Sequence, residues 1–595
     1  MTFNQTWDLD VIFPGGSQSH AFASFLQELE TRLHDFRRQT GSLQVPSNTD
    51  ETGTLQDCLE KLQQIALQLR EADSFVSCLT AENQQDKHAV RLGAKVKSLY
   101  AEFTSTLNLF DQILTQIADD VWAEMMQSPA FRPVAFALSE RRNLAREKMP
   151  PRMEMLAGDL AVDGYHAWGD LYHLAVSQIR IPFEENGRTV ELSAGQAANK
   201  LHSPDREVRQ RLFRKWEEAW REQADYCAEA LNRLAGFRLQ WYKHRGWTSV
   251  HKEPLMLNRM SPRTLQVMWE VIERNKPLFV QYLQRKAELL GVEKLSWADV
   301  EAPLGQTTKV YGYEEGATFI VDQFRSFSPQ MAELAEKALH NRWIEAEDRP
   351  GKRPGGFCTS FPLSKVTRIF MTYAGTASNV STLAHELGHA YHQYVMDDLP
   401  ALAQDYAMNV AETASTFAEL VVSDAALAAA QTREERLALL EDKIQRSVAF
   451  FMNIHARFLF ETEFYEERKQ GIVSPERLCD LMEDAQKRAF CNALSEYHPH
   501  FWASKLHFYL TDVPFYNFPY TFGYLFSSGI YAVARQEKDG FEKRYVALLR
   551  DTGSMTVEQL AAKHLGVDLT RPEFWQQAME PSLADVQEFL RITAR

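Results

Sequence analysis

The sequence TLAHELGHAYH, residues 382–392, contains one HExxH motif, in which His385 and His389 are four positions apart. Residues four apart share one face of an α-helix, so the two imidazole rings can point at a single metal ion. This arrangement suits the tetrahedral coordination of zinc. Glu386 directly follows the first histidine and is placed to hold a zinc-activated water and take its proton. The motif therefore predicts a zinc site with its general base on one helix.

A zinc site of this kind needs a third protein ligand, and its spacing separates the known classes. A third histidine six residues after His389 is absent, because position 395 is valine. A glutamate about 20 residues on is also absent, since positions 408 and 409 are methionine and asparagine. The next glutamate is Glu412, which stands among small residues in a predicted second helix. We therefore predict His385, His389 and Glu412 as the metal ligands.

Two further side chains are expected near the ligands without binding the metal. Glu419 lies seven residues after Glu412, on the same face of the predicted helix. It is expected either to hydrogen-bond a ligand or to face solvent. His392 lies seven residues after His385 and is expected to hydrogen-bond a carboxylate or a main-chain group. A histidine packed in the core explains His392 equally well.

Three sequence blocks resemble one family of enzymes. HELGHAYH, with Glu412 following His389 by 23 residues in VAETASTFAE, resembles the oligoendopeptidase F and thimet oligopeptidase family of zinc peptidases. The block PFYNFPYTFGYLFS at residues 514–527 is similar to the oligoendopeptidase F branch in particular. The resemblance implies a mainly α, two-lobed helical zincin with a small β-sheet beside the zinc-binding helix. It also implies a deep channel that admits short, unstructured peptides.

The third block begins at His507, before the PFYNFPYTFGYLFS run, and supplies candidate donors for a developing oxyanion, namely His507, Tyr516, Tyr520 and Tyr524. Phenol and imidazole groups are suitable donors for such an oxyanion. The resemblance assigns this role clearly to Tyr524, and to His507 if a short insertion precedes the tyrosines. The register of Tyr516 and Tyr520 is shifted relative to the thimet branch. A block so rich in phenylalanine and tyrosine is also compatible with a plain core.

Composition and net charge limit the kinds of molecule that the protein is expected to bind and the compartment in which it is expected to occur. The chain has 595 residues, 45% hydrophobic and 24% charged, which is typical of a globular protein with two or three lobes. A net charge of −15 argues against nucleic acid as a partner. Six scattered cysteines without a CxxC pair favour free thiols in a reducing compartment. Without an evident signal peptide or membrane span, we expect a cytoplasmic protein with oligopeptide substrates and no membrane partner. The oligomeric state is left open.

The remaining pattern predicts helices and a few strands. Long antiparallel helices are expected over residues 17–150, and a hairpin with an Asn186-Gly187 turn is expected to follow. The hairpin closes a predicted N-terminal lobe of residues 1–195, and residues 196–595 form the predicted catalytic domain. Further helices are expected over 205–245, 262–291 and 433–490, and strands are expected over 300–313 and 351–373.

The sequence also suggests roles for a strand with two glycines and for a pair of histidines. The strand that precedes the zinc helix is expected to bind extended substrate, with Gly355 and Gly356 allowing a close backbone approach. A plain turn explains these glycines nearly as well. His498 and His500 are expected to be structural or exposed.

The prediction is a zinc-dependent endopeptidase for short oligopeptides, with one zinc per chain and Glu386 as base. A carboxypeptidase-like zinc exopeptidase on a related scaffold is the alternative. A helical binding protein without activity is a third possibility.

Overall fold

The computed structural model describes residues 3–185, 187–305, 310–537 and 540–594. Asn186, the first residue of the predicted hairpin turn, lies outside the described residues. The described chain is mainly helical, with two small sheets, which confirms the predicted fold class.

The helices of the first half follow the predicted pattern of long elements. The first two are separated by a short connection, because α1 ends at Ser42 and α2 begins at Gly53. The first eleven helices are α1 (His20–Ser42), α2 (Gly53–Glu82), α3 (Lys87–Gln116), α4 (Asp119–Met125), α5 (Ala135–Arg146), α6 (Pro151–Ala161), α7 (Ala167–Gln178), α8 (Ala194–Lys200), α9 (Arg206–His244), α10 (Lys252–Leu257) and α11 (Pro262–Leu289).

Helices also dominate the second half, and a π-helical turn at Ala449–Asn453 joins two of them. The later helices are α12 (Tyr313–Phe327), α13 (Pro329–His340), α14 (Ala377–Met396), α15 (Met408–Ala411), α16 (Thr413–Ala429), α17 (Arg433–Val448), α18 (Ile454–Arg468), α19 (Pro475–Ala489), α20 (Phe501–Ser504), α21 (Phe518–Glu537), α22 (Phe541–Asp551), α23 (Val557–Leu565) and α24 (Pro572–Ile592).

The strands form two separate sheets. The predicted hairpin is confirmed, with β1 (Ile181–Glu185) antiparallel to β2 (Arg188–Leu192). The second sheet has the order β3-β5-β4, formed by β3 (Ile344–Glu345), β4 (Phe357–Phe361) and β5 (Val366–Phe370). β5 is parallel to β3 and antiparallel to β4, so β4 is an edge strand.

One predicted strand region is wrong. The described residues between Val300 and Tyr313 contain no strand, and helix α12 begins at Tyr313. The residues at 306–309 of that region lie outside the described part. The third strand of the sheet comes instead from Ile344–Glu345, which is too short to give an alternating pattern.

The chain divides into two compact units, each made of three segments. Unit 1 contains the described residues of Met1–Lys148, Lys309–Ala425 and Val533–Gly566. Unit 2 contains those of Met149–Thr308, Ala426–Ala532 and Val567–Arg595. The boundary predicted after residue 195 therefore falls within unit 2.

The core of unit 1 positions the second sheet against the HExxH helix. Helices α1 to α5 bury a continuous apolar cluster that includes Phe361 of β4 and Phe370 of β5. Helix α14 packs on both of these strands and on α22. The sheet and the predicted zinc helix therefore belong to one packed body.

Candidate active site

Helix α14 starts with a strong local signal. The Thr376 side chain accepts a hydrogen bond from the Asn379 amide, and the Asn379 side chain caps the Thr376 amide in return. This capping box satisfies main-chain donors that a helix start would otherwise leave unpaired. One face of the helix is buried through Leu383 and Leu387, while His385 and His389 are partly exposed. The two histidines are therefore held on a well-fixed helix with their rings accessible.

The three predicted ligands come together in unit 1. Nε2 of His385 lies 3.2 Å from Nε2 of His389. One carboxylate oxygen of Glu412, Oε2, lies 3.2 Å from His385 Nε2 and 3.4 Å from His389 Nε2. These three atoms form a nearly equilateral triangle. Among the described His, Cys, Asp and Glu side chains, these three are the group whose ligand atoms lie close enough together to hold one metal ion.

The triangle has the size that zinc coordination needs. Ligand distances of about 2.0–2.2 Å around a tetrahedral ion require donor atoms about 3.3–3.6 Å apart. The two imidazoles and the carboxylate in this structure have that spacing and chemistry. The residues present therefore fit a zinc ion.

Glu412 reaches the histidines because two helical segments approach closely. It lies at the break between α15 and α16, where its φ and ψ are −86° and 5°. A Cβ on Gly388 of α14 would lie 2.6 Å from the Ala414 carbonyl oxygen and 2.6 Å from Ser415 Cα. The Ser415 hydroxyl also donates a 2.6 Å hydrogen bond to Glu412 Oε2. The glycine of the motif thus permits the packing that brings the third ligand to the site.

A second carboxylate orients the first histidine. Oε2 of Glu419 lies 3.2 Å from His385 Nδ1, and its other oxygen accepts a 3.1 Å hydrogen bond from Ser381. Burial lowers the pKa of His385, but the hydrogen bonds to Glu412 and Glu419 outweigh it and raise that pKa to about 10. Burial raises the pKa of Glu412, but the two histidines outweigh it and lower that pKa strongly. A cation at this point would take the place of the shared protons.

Glu386 has the surroundings expected of a general base. Its side chain is buried, and its Oε2 has no hydrogen-bond partner within the described part of the chain. Burial raises the pKa of Glu386, while His389 and His385 oppose the shift. A Cβ on Gly356, just before β4, would lie 3.4 Å from Glu386 Oε1. The glycine therefore lets the chain pass directly beside the carboxylate. An unpaired buried carboxylate oxygen is costly and is typical of a functional group.

His392 points away from the ligands and into the core. Its Nε2 donates to the Leu549 carbonyl at 3.3 Å and lies 2.9 Å from the Thr552 hydroxyl. The ring stacks on Tyr406 at 4.3 Å. Burial lowers the pKa of His392 to about 3, so the ring is neutral. The expected hydrogen bond to a main-chain group is present.

Three of the four predicted oxyanion donors form one cluster in unit 2. The ring centroids of His507 and Tyr516 are 5.0 Å apart, and those of Tyr516 and Tyr520 are also 5.0 Å apart. Nδ1 of His507 is buried and has no hydrogen-bond partner among the described residues. Burial lowers the pKa of His507 to about 4, and the charges of Arg457 and Lys505 add to this effect. The imidazole is therefore neutral at pH 7.

Tyr524 lies in a different setting, also within unit 2. Its hydroxyl is 3.0 Å from the Ser447 hydroxyl and 3.3 Å from that of Ser582. Its ring stacks on Phe450 with centroids 4.6 Å apart. The hydroxyl thus has two protein partners, on α17 and α24. This packing is the one that the plain-core alternative predicts for the aromatic block.

His498 and His500 share one carboxylate within unit 2. Both donate through Nδ1 to Glu217, His500 at 2.6 Å. Trp216 Nε1 donates to the remaining nitrogen of His498 at 3.1 Å. Burial lowers the pKa of His500, but hydrogen bonds to Cys479 and Glu217 raise it to about 9. Glu217 therefore holds both histidines in a structural role, and no local pattern in the sequence indicated Glu217 as their partner.

A helical scaffold that presents two histidines and a glutamate around one point defines a class, the helical metallopeptidases. The sequence model described as Peptidase family M3 matches residues 200–581, and one described as Oligopeptidase F matches residues 114–181. The first match covers more than half of the chain. The chain therefore belongs to peptidase family M3 and is a metalloendopeptidase.

Full-length relatives agree with this assignment. An oligoendopeptidase F homolog of Lactococcus lactis is 21% identical over 98% of this chain and 96% of its own. The oligopeptidase PepF of Bacillus subtilis is 22% identical over 98% of this chain and 87% of its own. The crystal structure of oligoendopeptidase-F from Enterococcus faecium has a TM-score of 0.70 at 18% identity, covering 96% of this chain and 98% of that one. Within the described ranges, no helix is both long and apolar enough to cross a bilayer.

Proposed function

We propose that the protein is a zinc-dependent endopeptidase that hydrolyses internal bonds of short, unstructured oligopeptides. The observation that supports this most directly is the triangle of His385, His389 and Glu412 donor atoms beside the buried, unpaired Oε2 of Glu386. One zinc ion per chain, held by these three ligands, supplies a Lewis acid that activates water at neutral pH.

The chain's own residues then move the protons. Glu386 accepts a proton from the attacking water as the water adds to the scissile carbonyl. The same carboxylic acid delivers that proton to the leaving amine when the carbon–nitrogen bond breaks. Burial favours this double role, because it raises the pKa of Glu386 from its ordinary value towards neutrality. Glu419 keeps the ring of His385 in place through Nδ1.

We assign substrate alignment to β4. It is the edge strand of its sheet, and Gly356 leads into it directly beside Glu386. An extended peptide can add to such an edge through main-chain hydrogen bonds, which bind a backbone without reading its side chains. His507, Tyr516 and Tyr520 are proposed as donors to the substrate oxyanion. The sequence resemblance also gave this role to Tyr524, but its hydroxyl is hydrogen-bonded to Ser447 and Ser582, and a variant at this position tests the role.

The six cysteines support a reducing compartment, and we propose the cytoplasm. All six lie in the described part of the chain, and all are free thiols. A disulfide framework would be expected in an oxidising compartment.

The decisive experiment compares Glu386→Gln with wild type on a peptide blocked by acetylation and amidation. Wild type should cut the blocked peptide internally and contain one zinc per chain. Glu386→Gln should retain zinc and lose kcat by at least about 10³-fold. The control Glu333→Gln removes an exposed carboxylate of α13 and should behave as wild type. A wild type that trims only unblocked ends would instead support the exopeptidase alternative.

A further inference from the structure

Unit 2 contains a cavity of about 200 Å³ that none of the proposed catalytic side chains lines. Its volume is several times the roughly 30 Å³ share of one water, so a peptide side chain fits. Its wall includes the rings of Phe213, Trp216, Trp297, Phe490 and Phe501, and it carries both the ammonium group of Lys505 and the carboxylate of Glu301.

Two cations flank one ring of this wall. Nζ of Lys505 lies 5.2 Å from the centroid of the Phe501 ring, and the guanidinium carbon of Arg457 lies 5.3 Å from it. Arg457 Nε donates a 2.9 Å hydrogen bond to Asn453, which itself lines the cavity. Both cations are partly buried. Two cations therefore lie against the Phe501 ring at one side of the cavity.

The charge of this pair is not balanced by a direct protein partner. Within the described chain, neither Arg457 nor Lys505 forms an ion pair with a carboxylate. Glu301, which lines the same cavity, is the carboxylate whose charge acts on both cations from beyond ion-pair distance. It is exposed and lies 3.6 Å from His202. Burial lowers the pKa of Arg457 to about 10 and that of Lys505 to about 8. Partly buried cations without counter-ions are costly, and a bound anion would offset the cost.

The pair also adjoins the proposed oxyanion donors. Lys505 precedes His507 by two residues and caps the short helical turn Leu506–Tyr509 that contains it. The charges of Arg457 and Lys505 both lower the pKa of His507. Arg457 also interacts electrostatically with Tyr520. An anion held by these cations would therefore lie near groups assigned to the peptidase reaction.

We propose that Arg457 and Lys505 form a subsite for a carboxylate of the peptide substrate, beside the aromatic cavity. Guanidinium and ammonium groups are the usual partners of carboxylates in proteins. Since the whole chain carries a net charge of −15, its long-range field repels acidic peptides, and recognition needs short-range cations of this kind. The carboxylate comes from an acidic side chain or from the free C-terminus. This inference rests on the proposed peptidase function.

The experiment measures kcat/KM for matched quenched peptides on wild type, Lys505→Gln, Arg457→Gln and Lys505→Arg. One series exchanges Gln for Glu at each position of a blocked peptide, and a second compares free-acid with amidated C-termini. Lys294→Gln is the control, because Lys294 is an exposed lysine of unit 2 that does not line the cavity. Melting temperature reports the folding of each variant.

The expected result is a preference of wild type for the carboxylate of about tenfold at one position, as one charge-assisted pair provides. Lys505→Gln and Arg457→Gln should each reduce this ratio to near one, while Lys505→Arg and Lys294→Gln should keep it. The Glu series and the terminal series show which carboxylate is recognised. A wild type that cuts all peptides without preference overturns the inference alone, as does a preference that both Gln variants retain. A wild type that cuts no peptide overturns the proposed function itself.

Discussion

Nδ1 of His385 lies 3.2 Å from Oε2 of Glu419, while Nε2 of the same ring lies 3.2 Å from Oε2 of Glu412. The ring is therefore fixed through both of its nitrogens. Glu419 selects the orientation and the tautomer that leave Nε2 available as a metal ligand. The carboxylate seven residues beyond Glu412 thus belongs to the candidate metal site without being one of its proposed ligands.

Replacing Glu419 with alanine should weaken zinc binding by about 10- to 100-fold, as loss of an orienting carboxylate does in other metal sites. Glu412→Ala should weaken it further, because a ligand is lost. Competition with a chelator gives both dissociation constants, and Glu333→Ala on α13 controls for loss of a carboxylate. An unchanged dissociation constant for Glu419→Ala would mean that the contact does not orient His385.

Gly388→Ala should destabilise the protein and reduce its zinc content. The new Cβ would lie 2.6 Å from both the Ala414 carbonyl oxygen and Ser415 Cα, which are main-chain atoms that cannot rotate away. Overpacking of this kind costs about 1–3 kcal/mol. The segment that carries Glu412 has to move to relieve it. Denaturant unfolding and metal analysis measure the two effects.

Gly158→Ala is the matched control for this substitution. Gly158 lies in α6, and a Cβ there would meet nothing within 4 Å. Alanine should therefore be neutral there or stabilise the helix by about 0.5–1 kcal/mol. If Gly388→Ala behaved like Gly158→Ala, close packing on α14 would not explain the position of Glu412.

The convergence of His385, His389 and Glu412 was predictable because most of the information is local. The HExxH spacing follows from helix geometry, and Glu412 was the next glutamate in a stretch of small residues. The close contact of Gly388 with Ala414 is not local, and neither is the neighbouring position of Gly356 and Glu386. Such contacts depend on how segments that are distant in sequence pack together, and the spacing of hydrophobic residues along the chain does not indicate that packing.

The three-stranded sheet and the division into two units were also only partly predictable from the sequence. β4 and β5 have enough residues to show an alternating pattern, whereas β3 has two and pairs in parallel with a strand over 20 residues away. The predicted cut after residue 195 assumed that each lobe is one continuous segment. The chain instead returns to unit 1 twice, and only the three-dimensional contacts reveal this.

The contribution of His392 to the stability of the metal-free protein should fall as the pH falls below about 6.5. Burial lowers the pKa of His392 to about 3 in the folded protein, against about 6.5 in an unfolded chain. Between these values the unfolded chain binds one more proton, so acid favours unfolding by up to about 1.4 kcal/mol per pH unit. This contribution is absent at pH 7, where both states are neutral.

His392→Gln should remove this part of the acid sensitivity. Its amide can still donate to the Leu549 carbonyl, but it does not titrate. The free energy of unfolding, measured with denaturant and chelator from pH 4 to 7, should depend on pH less steeply in the variant. The variant should also be less stable at pH 7, because the ring contact with Tyr406 is lost. Parallel curves for the two proteins would show that His392 can be protonated without unfolding.

The aromatic block offers a direct comparison between two tyrosines. Tyr520 belongs to the cluster with His507 and Tyr516, whereas the Tyr524 hydroxyl lies between the Ser447 and Ser582 hydroxyls. A donor that acts only on the transition state changes kcat more than KM. Tyr520→Phe should therefore lower kcat by about 10²-fold, with little change in melting temperature.

Tyr524→Phe tests the predicted donor role that the sequence resemblance gave this residue. Its hydroxyl already has two hydrogen-bond partners within unit 2, so we expect a structural effect. Loss of these hydrogen bonds should cost about 0.5–1.5 kcal/mol of stability, because the two serine hydroxyls lose a partner. The kcat should stay within a few-fold of wild type. A fall in kcat of about 10²-fold at unchanged melting temperature would instead establish Tyr524 as the oxyanion donor. Measuring kcat, KM and melting temperature on Tyr524→Phe and Tyr520→Phe side by side decides between the two roles.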